Sequence, residues 1–330
     1  MAITNTFSRY DAIGLREELS DTIYDISPTD TPVLTMAAKT RCKQTLFEWQ
    51  TDELGAATTD NAHVEGFDVT EFPAVAPTTR VGNYTQISNK LLILSGTLEV
   101  VDKAGRNSEL SYQLAKRGRE IKRDMESIIT ANLGGDAGGT TTPRQTATLG
   151  AWIKTNVNFQ GGGTTAGSNP TYTSGVPGAA RGDAGSGDQR DFTEVMLKDV
   201  AQQIWSSGGE LHTLMVGPYN KTVVSSFEGV VTRNFDMSNV DPAPTAVIAA
   251  IDVYVTDFGT LRVVPNRFQR ERDAWFLDPE YLAVPHLRPF RQEELAKTGD
   301  AHKRMLLVEW GFKVKQEAAL GLVADLTESA

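Results

Sequence analysis

Residues 45–100 contain two runs typical of β-strands, separated by a long polar segment. The run "TLFEWQT" alternates apolar and polar side chains, which places Phe47 and Trp49 on one face. The second run is "RVGNYTQISNKLLIL", and the intervening "DELGAATTDNAHVEGFDVTEFPAVAPTT" is interrupted by glycine and proline. A lone two-stranded ribbon is marginally stable in water. The sequence therefore predicts a projecting ribbon, with isolated Phe67 and Phe72 near its tip, that needs another surface to lie on.

Residues 1–44 are interpreted as an arm that contains one helix. The stretch "YDAIGLREELSDTIYDI" spaces its apolar residues near the helical period, and "SPTDTPVLTMAAK" ends the helix with two prolines. Val33 and Leu34 follow as a short apolar anchor. Neither the arm nor the ribbon can bury its own apolar surface, so both are expected to lie on neighbouring chains.

The clearest helix is predicted over residues 106–133, with Ser108 as its N-cap. A helix of this length is about 40 Å long, which is unusual for a globular domain. Its apolar residues fall close to one stripe, and its charged residues are expected to cover the remaining, solvated surface. The stripe consists of Leu110, Leu114, Ile121, Met125, Ile128 and Ile129, and the charged set of Lys116, Arg117, Arg119, Glu120, Lys122, Arg123 and Glu126.

Three further regions complete the chain. Residues 136–190 are rich in glycine and are interpreted as a slack surface insertion, with "ATLGAWIKTNVNF" as a docked apolar piece inside it. Residues 191–260 have the pattern of a compact α/β unit, with a helix capped by Asp191 or Thr193 and a hairpin turning at 257–259. Residues 261–330 are mostly strand-like.

The composition indicates a soluble protein in a reducing compartment. The net charge of -10 argues against a protein whose main task is to neutralise nucleic-acid phosphates. Cys42 is the only cysteine, which excludes an internal disulfide and a cysteine-rich zinc site. The N-terminus does not resemble a signal peptide, and the apolar runs are far shorter than the roughly 20 residues that span a bilayer. A cytoplasmic location with no membrane contact is expected.

Short catalytic or recognition motifs do not combine into a site. "GGGTTAG" (161–167) is followed by prolines rather than a helix, so a dinucleotide-binding loop is not favoured. "DFG" (257–259) lacks the other kinase signatures and fits a hairpin turn, and "RGD" (181–183) is a three-letter match close to chance. The thiol of Cys42 lies between Arg41 and Lys43, but a bystander role is favoured over catalysis.

The histidines are not spaced as metal ligands, and structural roles are favoured for all four, His63, His212, His286 and His302. The acids Asp21, Asp25 and Asp30 match no calcium loop. We therefore expect a protein that is not an enzyme and that uses no metal or other cofactor.

The order of arm, ribbon, long helix, α/β unit and final strands resembles the major capsid proteins of tailed bacteriophages, which share the HK97-like fold. The short stretches "SPTDTPVLTMAAK", "RVGNYTQISNK", "LMVGPYNK" and "LAKTGDAHKRMLLVEWGFKVKQEAALGLVADL" carry the resemblance along nearly the whole chain. It implies an α+β, HK97-like fold and a structural subunit of an icosahedral phage head.

The resemblance also implies a division of the chain. Its parts would be an N-terminal arm (1–44), an extended β-loop over the adjacent subunit (45–100), a spine helix of the peripheral domain (101–135), a Gly-rich surface insertion (136–190), an axial domain (191–260) and return strands of the peripheral domain (261–330). Intersubunit contacts are expected from Phe67, Phe72, Val33 and Leu34.

The resemblance further implies pentamers and hexamers in a capsid lattice that encloses double-stranded DNA without sequence-specific binding. The arm begins almost at Met1, so a separate scaffolding protein or unaided assembly is expected, together with portal and decoration proteins. The protein would be assembled in the host cytoplasm and would reside in the virion.

Two other interpretations stay open on the sequence. An encapsulin-type nanocompartment shell uses the same fold around enzyme cargo. A cytoplasmic α/β enzyme with a Gly-rich lid over 160–189 would have to draw its site from Glu, Asp and Tyr side chains, since the histidines are poorly placed.

Overall fold

The structure is a computed structural model that describes residues 27–69, 72, 74–227 and 252–328. The helix expected between residues 10 and 26 lies outside these ranges. Within them the helices are α1 (Pro32–Met36), α2 (Gly96–Val100), α3 (Glu109–Ile129), α4 (Leu149–Trp152), α5 (Glu194–Ser206) and α6 (Pro218–Ser225), with 3-10 turns at Pro279–Tyr281 and Glu317–Ala319.

The strands of the described residues pair into two larger sheets and two small ribbons. They are β1 (Ala38–Arg41), β2 (Leu46–Thr51), β3 (Thr79–Tyr84), β4 (Gln86–Ser95), β5 (Val157–Asn158), β6 (Tyr172–Thr173), β7 (Val176–Pro177), β8 (Thr213–Val216), β9 (Val253–Thr256), β10 (Gly259–Pro265), β11 (Ala274–Leu277), β12 (Leu282–Glu294), β13 (Ala301–Trp310), β14 (Lys313–Val314) and β15 (Gly321–Val323).

The first sheet has the order β1-β12-β13-β4, and β14 pairs with one end of β12. β1 runs parallel to β12, whereas β13 is antiparallel to both β12 and β4. Helix α3 packs on this sheet through β4 and β13. The N-cap of α3 confirms its predicted start, because the Ser108 hydroxyl accepts a hydrogen bond from the Ser111 N–H at 3.2 Å.

The apolar stripe of α3 is buried most deeply in its second half. Ile121, Met125 and Ile129 are buried, while Leu110 and Leu114 are only half-buried. One member of the predicted solvated set was placed wrongly, because Glu126 is fully buried. Its partners come from residues far away in the chain, which helical periodicity does not reveal.

The second sheet has the order β5-β15-β11-β8-β10-β9, and its central strands β15, β11 and β8 are buried on both faces. Successive residues of β11 point to opposite sides, as strand geometry requires. Trp275 and Leu277 enter one core with α3, while Ala274 and Phe276 enter the other with α5. The sheet therefore lies between the two hydrophobic cores and contributes side chains to both.

This topology corrects the division expected at residues 260 and 261. Strand β10 (Gly259–Pro265) crosses that boundary, and β11 and β15 join the same sheet as β8. Hydrogen bonding between strands distant in sequence decides the grouping, and the order of elements along the chain does not. The hairpin at 257–259 is confirmed, with β9 and β10 antiparallel and Gly259 at φ +153°.

The Gly-rich region differs most from its prediction as a slack surface insertion over 136–190. Helix α4 is fully buried, and Trp152 and Ile153 are part of the core beside α3. Residues 161–166 are exposed, but Arg181 and Ala184 are buried again. The region is thus packed against its own chain along much of its length. No helix in the described parts of the chain has the length and apolar character needed to cross a bilayer.

Candidate intersubunit surface

The ribbon starts as a regular antiparallel pair of strands. β2 and β3 pair from Leu46 with Tyr84 to Thr51 with Thr79. The second predicted strand is in fact two strands, because the chain leaves the ribbon at Thr85 and enters the first sheet as β4. Thr85 is held at this corner by its N–H, which donates to Thr45 O at 2.8 Å, and by its carbonyl, which accepts Arg144 Nε at 2.6 Å.

Aromatic packing fixes the base of the ribbon to the body. The indole Nε1–H of Trp49 donates to Lys315 O at 3.0 Å, and its ring lies 5.4 Å from that of Trp152. The Lys313 ammonium lies 4.8 Å from the Trp49 ring centroid, a cation–π geometry. Partial burial lowers the pKa of Lys313, with Lys315 adding to the shift. The base is therefore rigidly placed.

The Gly-rich region supports the same base from the other side. The Gly82 N–H donates to Gly175 O at 3.1 Å. Gly175 has φ +80°, and a Cβ there would meet the Arg80 carbonyl oxygen at 2.2 Å. Only glycine fits this close approach of two backbones.

Beyond Thr51 and before Thr79, the ribbon tip leaves the body of its own chain. Phe72 is 85% exposed and Val75 is 94% exposed, and Leu54 and Val64 are also largely exposed. Phe67 is 50% exposed, since its ring stacks on His63 with centroids 4.3 Å apart. The exposed apolar side chains gathered on this one projection make the tip a candidate intersubunit surface.

The tip is also strongly acidic. Between Lys43 and Arg80 the sequence contains no lysine or arginine. Over residues 52–79 its charged side chains are Asp52, Glu53, Asp60, Glu65, Asp68 and Glu71. A cationic surface would therefore complement it.

The short apolar anchor formed by Val33 and Leu34, near the end of the arm, packs against residues of its own chain. The carboxylate of Glu126 accepts the N–H groups of Val33 and Leu34, both at 2.9 Å, and the Nδ2–H of Asn266 at 2.7 Å. Burial raises the pKa of Glu126, and the three hydrogen bonds oppose that shift. Val33 is fully buried and Leu34 packs partly against the same core. The expectation that Val33 contacts a neighbour is therefore corrected, because its own helix α3 covers it.

The "RGD" triplet is a structural element. Arg181 is buried and donates to Asp273 Oδ1 at 3.0 Å and to Asp183 Oδ1 at 3.3 Å. Asp183 also accepts from Arg270 at 2.5 Å. Nearby, Asp325 accepts the N–H groups of Ala184 at 2.9 Å and Gln160 at 3.2 Å. These long-range contacts hold the Gly-rich region in place.

The other candidate groups stay apart in the structure. His212 lies 3.7 Å from Glu210 and 3.8 Å from Asp278, at the surface. Burial lowers the pKa of His286 and raises that of the Cys42 thiol, so both are uncharged near neutral pH. Within the described ranges, no group of three or more His, Cys, Asp or Glu side chains is arranged to hold a metal ion.

A family model described as SU10 major capsid protein matches residues 2–327. The chain belongs to the SU10 major capsid protein family. A major capsid protein of Escherichia phage Phieco32 is 28% identical over 351 aligned positions, covering 98% of this chain and 97% of that protein. The sequence therefore resembles this relative from end to end.

Solved structures show the fold of this member of the SU10 family to be HK97-like. The Cyanophage A-1(L) capsid asymmetric unit superposes with a TM-score of 0.65 at 13% identity, covering 95% of this chain and 97% of that one. A Gordonia phage Cozz chain gives 0.59 at 12% identity, with 98% and 96% covered. The holo-SrpI encapsulin complex of Synechococcus elongatus PCC 7942 gives 0.53 at 8% identity, with 96% and 94% covered.

The sequence of this SU10 capsid protein identified the exposed aromatic residues of the ribbon, Phe67 and Phe72, but did not reveal the buried carboxylates that hold the end of the arm and the Gly-rich region. The buried carboxylates of Glu126, Asp273 and Asp325 accept hydrogen bonds from Leu34, Arg181 and Gln160, which lie between 92 and 165 residues away, so local sequence does not reveal these contacts. The only available hint was the position of Glu126 directly after Met125 in the apolar stripe.

Proposed function

We propose that this phage capsid protein forms pentamers and hexamers in an icosahedral lattice, with its ribbon acting as a clamp between adjacent subunits. The observation that carries this proposal is the ribbon tip, whose apolar side chains find little cover on their own chain. Its rigid base aims the tip outward, so a neighbouring subunit is the surface available to every copy. Family membership supports the lattice and the virion location.

We assign the two sheets to the two expected domains, with modified boundaries. The sheet that contains β4, β12 and β13, together with α3, would be the peripheral domain. The sheet that contains β8, β10 and β11, together with α5 and α6, would be the axial domain at the five-fold and six-fold positions. Segments 157–158 and 321–323 join this second unit through β5 and β15.

The shell would enclose double-stranded DNA without reading its sequence. The net charge of -10 favours a wall that does not bind DNA tightly, which is suited to a genome that is packed by force and released. A scaffolding protein, a portal and decoration proteins would be its other partners, and assembly would take place in the host cytoplasm. No catalytic role is assigned.

An encapsulin-type shell is the second candidate, because an encapsulin also superposes on this chain. The full-length match to a phage capsid protein favours the phage head.

Size-exclusion chromatography and electron microscopy of the expressed protein test the proposal. Shells built from pentamers and hexamers, or those capsomers themselves, are the expected products. A stable, compact monomer at all concentrations would contradict it. In infected cells, DNA-filled heads with a tail vertex would separate the phage head from a cargo compartment.

A further inference from the structure

A small apolar pocket opens between α1, α3, β1 and β12. Its volume is about 180 Å³. Leu34, Met125, Val284 and Phe290 form its apolar walls, and the half-buried imidazole of His286 adjoins them. Phe290 is 38% exposed, so one wall is already a partly uncovered aromatic ring.

The rim of this pocket is cationic. Lys39 of β1 and Lys122 of α3 line it, both are exposed, and no carboxylate lines it. Neither lysine forms a salt bridge within the described residues. Arg41 and Lys43 extend the exposed positive charge along the same edge of the first sheet. An apolar pocket with such a rim suits an aromatic side chain that is flanked by carboxylates.

The ribbon tip supplies that chemistry. Phe67 closes a turn in which its N–H donates to Val64 O at 3.1 Å, and Gly66 adopts φ +85°. Exposed Glu65 and Asp68 stand on either side of it. The turn orders the backbone that carries Phe67 and its two acidic neighbours, and the ring stacks on His63 with centroids 4.3 Å apart, so less entropy is lost on binding.

We propose that Phe67 of one copy inserts into the Lys39–Lys122 pocket of a second copy, with Glu65 and Asp68 meeting the lysine rim. This assignment rests on the proposed lattice function and names the surface that the ribbon clamps. It links the ribbon of one subunit to the end of the arm of the next, since α1 forms one wall of the pocket. Arm and ribbon then complete each other's surfaces across one contact.

Site-specific cross-linking tests the contact in assembled particles. In a Cys42→Ser background, Asp68→Cys places a thiol beside Phe67 and Thr35→Cys places one at the pocket. A short bis-maleimide should join the two between copies, giving a ladder of dimers and larger species on a denaturing gel. Each single-cysteine variant should remain monomeric on the same gel.

A matched control moves the second thiol to Val195→Cys, which is 76% exposed on α5. This pair should not form the ladder. Intact particles in which Asp68→Cys and Thr35→Cys fail to cross-link would overturn the inference while leaving the lattice proposal standing. The inference would also be overturned if Phe72→Cys cross-linked to Thr35→Cys and Asp68→Cys did not. Absence of particles in every variant, including the parent, would instead contradict the proposed function.

Charge reversal gives an independent test. Lys39→Glu with Lys122→Glu should raise the protein concentration needed for assembly roughly tenfold, which corresponds to about 1.4 kcal/mol. Adding Glu65→Lys and Asp68→Lys to the same chain should restore assembly. A reversal that changes nothing, or one that the second pair does not rescue, would overturn the proposed contact.

Discussion

The carboxylate of Glu126 accepts the backbone N–H of Val33 at 2.9 Å across 93 residues of sequence. The same carboxylate binds Leu34 and Asn266, so one side chain of α3 joins the end of the arm to the loop after β10. A fully buried acid in this position is costly unless each oxygen is hydrogen-bonded, and here each one is.

Glu126→Gln should weaken this junction. The amide oxygen can still accept from Val33 and Asn266, but the amide NH₂ would then face the Leu34 N–H, another donor. An unsatisfied buried donor costs about 1–3 kcal/mol. Urea unfolding of the dissociated subunit should show this loss, whereas Glu120→Gln, on the same helix but paired with Arg117 near the surface, should change little. Equal stability of the two variants would contradict the role of Glu126.

The difference in folding stability between the wild type and Glu126→Gln should change with pH in a defined direction. Burial raises the pKa of Glu126, so the folded chain binds its proton more tightly than the unfolded chain does. The stabilisation from this group is complete below its unfolded pKa of about 4.3 and is lost as the pH rises through the folded value. The stability advantage of the wild type over Glu126→Gln should therefore shrink as the pH rises from about 4 toward 7. An advantage that grows with pH would show that the pKa is lowered instead.

Arg181→Met should be strongly destabilising. It would leave the buried carboxylate of Asp273 with only Arg270, whose Nη1 lies 3.6 Å from it. Removing one partner of a buried ion pair costs about 3–5 kcal/mol. Arg80→Met removes a salt bridge of an exposed arginine and should leave the unfolding midpoint nearly unchanged. The "RGD" triplet would regain interest as a recognition motif if Arg181→Met folded as stably as the wild type.

Gly175→Ala should loosen the base of the ribbon. The new methyl group would clash with the Arg80 carbonyl, and the positive φ alone costs roughly 1–2 kcal/mol. Hydrogen exchange at the Gly82 amide should accelerate, because its acceptor is Gly175 O. Gly162→Ala is the matched control, since a Cβ there meets nothing within 4 Å. Unchanged protection of Gly82 in Gly175→Ala would show that the Gly-rich region does not support the ribbon.

Deleting residues 56–77 and closing the gap with a short Gly-Ser linker should separate folding from assembly. The deleted residues include most of the exposed apolar side chains of the tip, while β2, β3 and the Trp49 contacts remain. The subunit should keep its thermal unfolding temperature within a few degrees, and sedimentation should show that lattice formation is lost. Normal shells from this variant would rule out the ribbon as a clamp.

The sequence predicted those elements whose evidence is local. The stripe of α3, the cap of α5 and the hairpin at 257–259 each depend on side chains within a few residues. The structure confirms the stripe and the hairpin, and of the two cap candidates, Asp191 and Thr193, it shows Thr193. The ribbon was predicted for the same reason.

The errors arose where distant residues decide the outcome. High glycine content correctly indicated little regular structure in 136–190, but it did not reveal that Arg181 and Ala184 are held by Asp273 and Asp325. Likewise, a continuous strand pattern over 80–94 could not show the corner at Thr85, which Arg144 secures from 59 residues away.

The absence of lysine and arginine between Lys43 and Arg80 leaves the ribbon tip without a trypsin site, while the half-exposed Phe67, which is followed by Asp68, gives it a chymotrypsin site. Digestion with the two proteases side by side thus distinguishes an uncovered tip from a general loss of structure. Because every copy has this difference in susceptibility, proteolysis of the unlabelled natural chain shows whether its ribbon tip is covered.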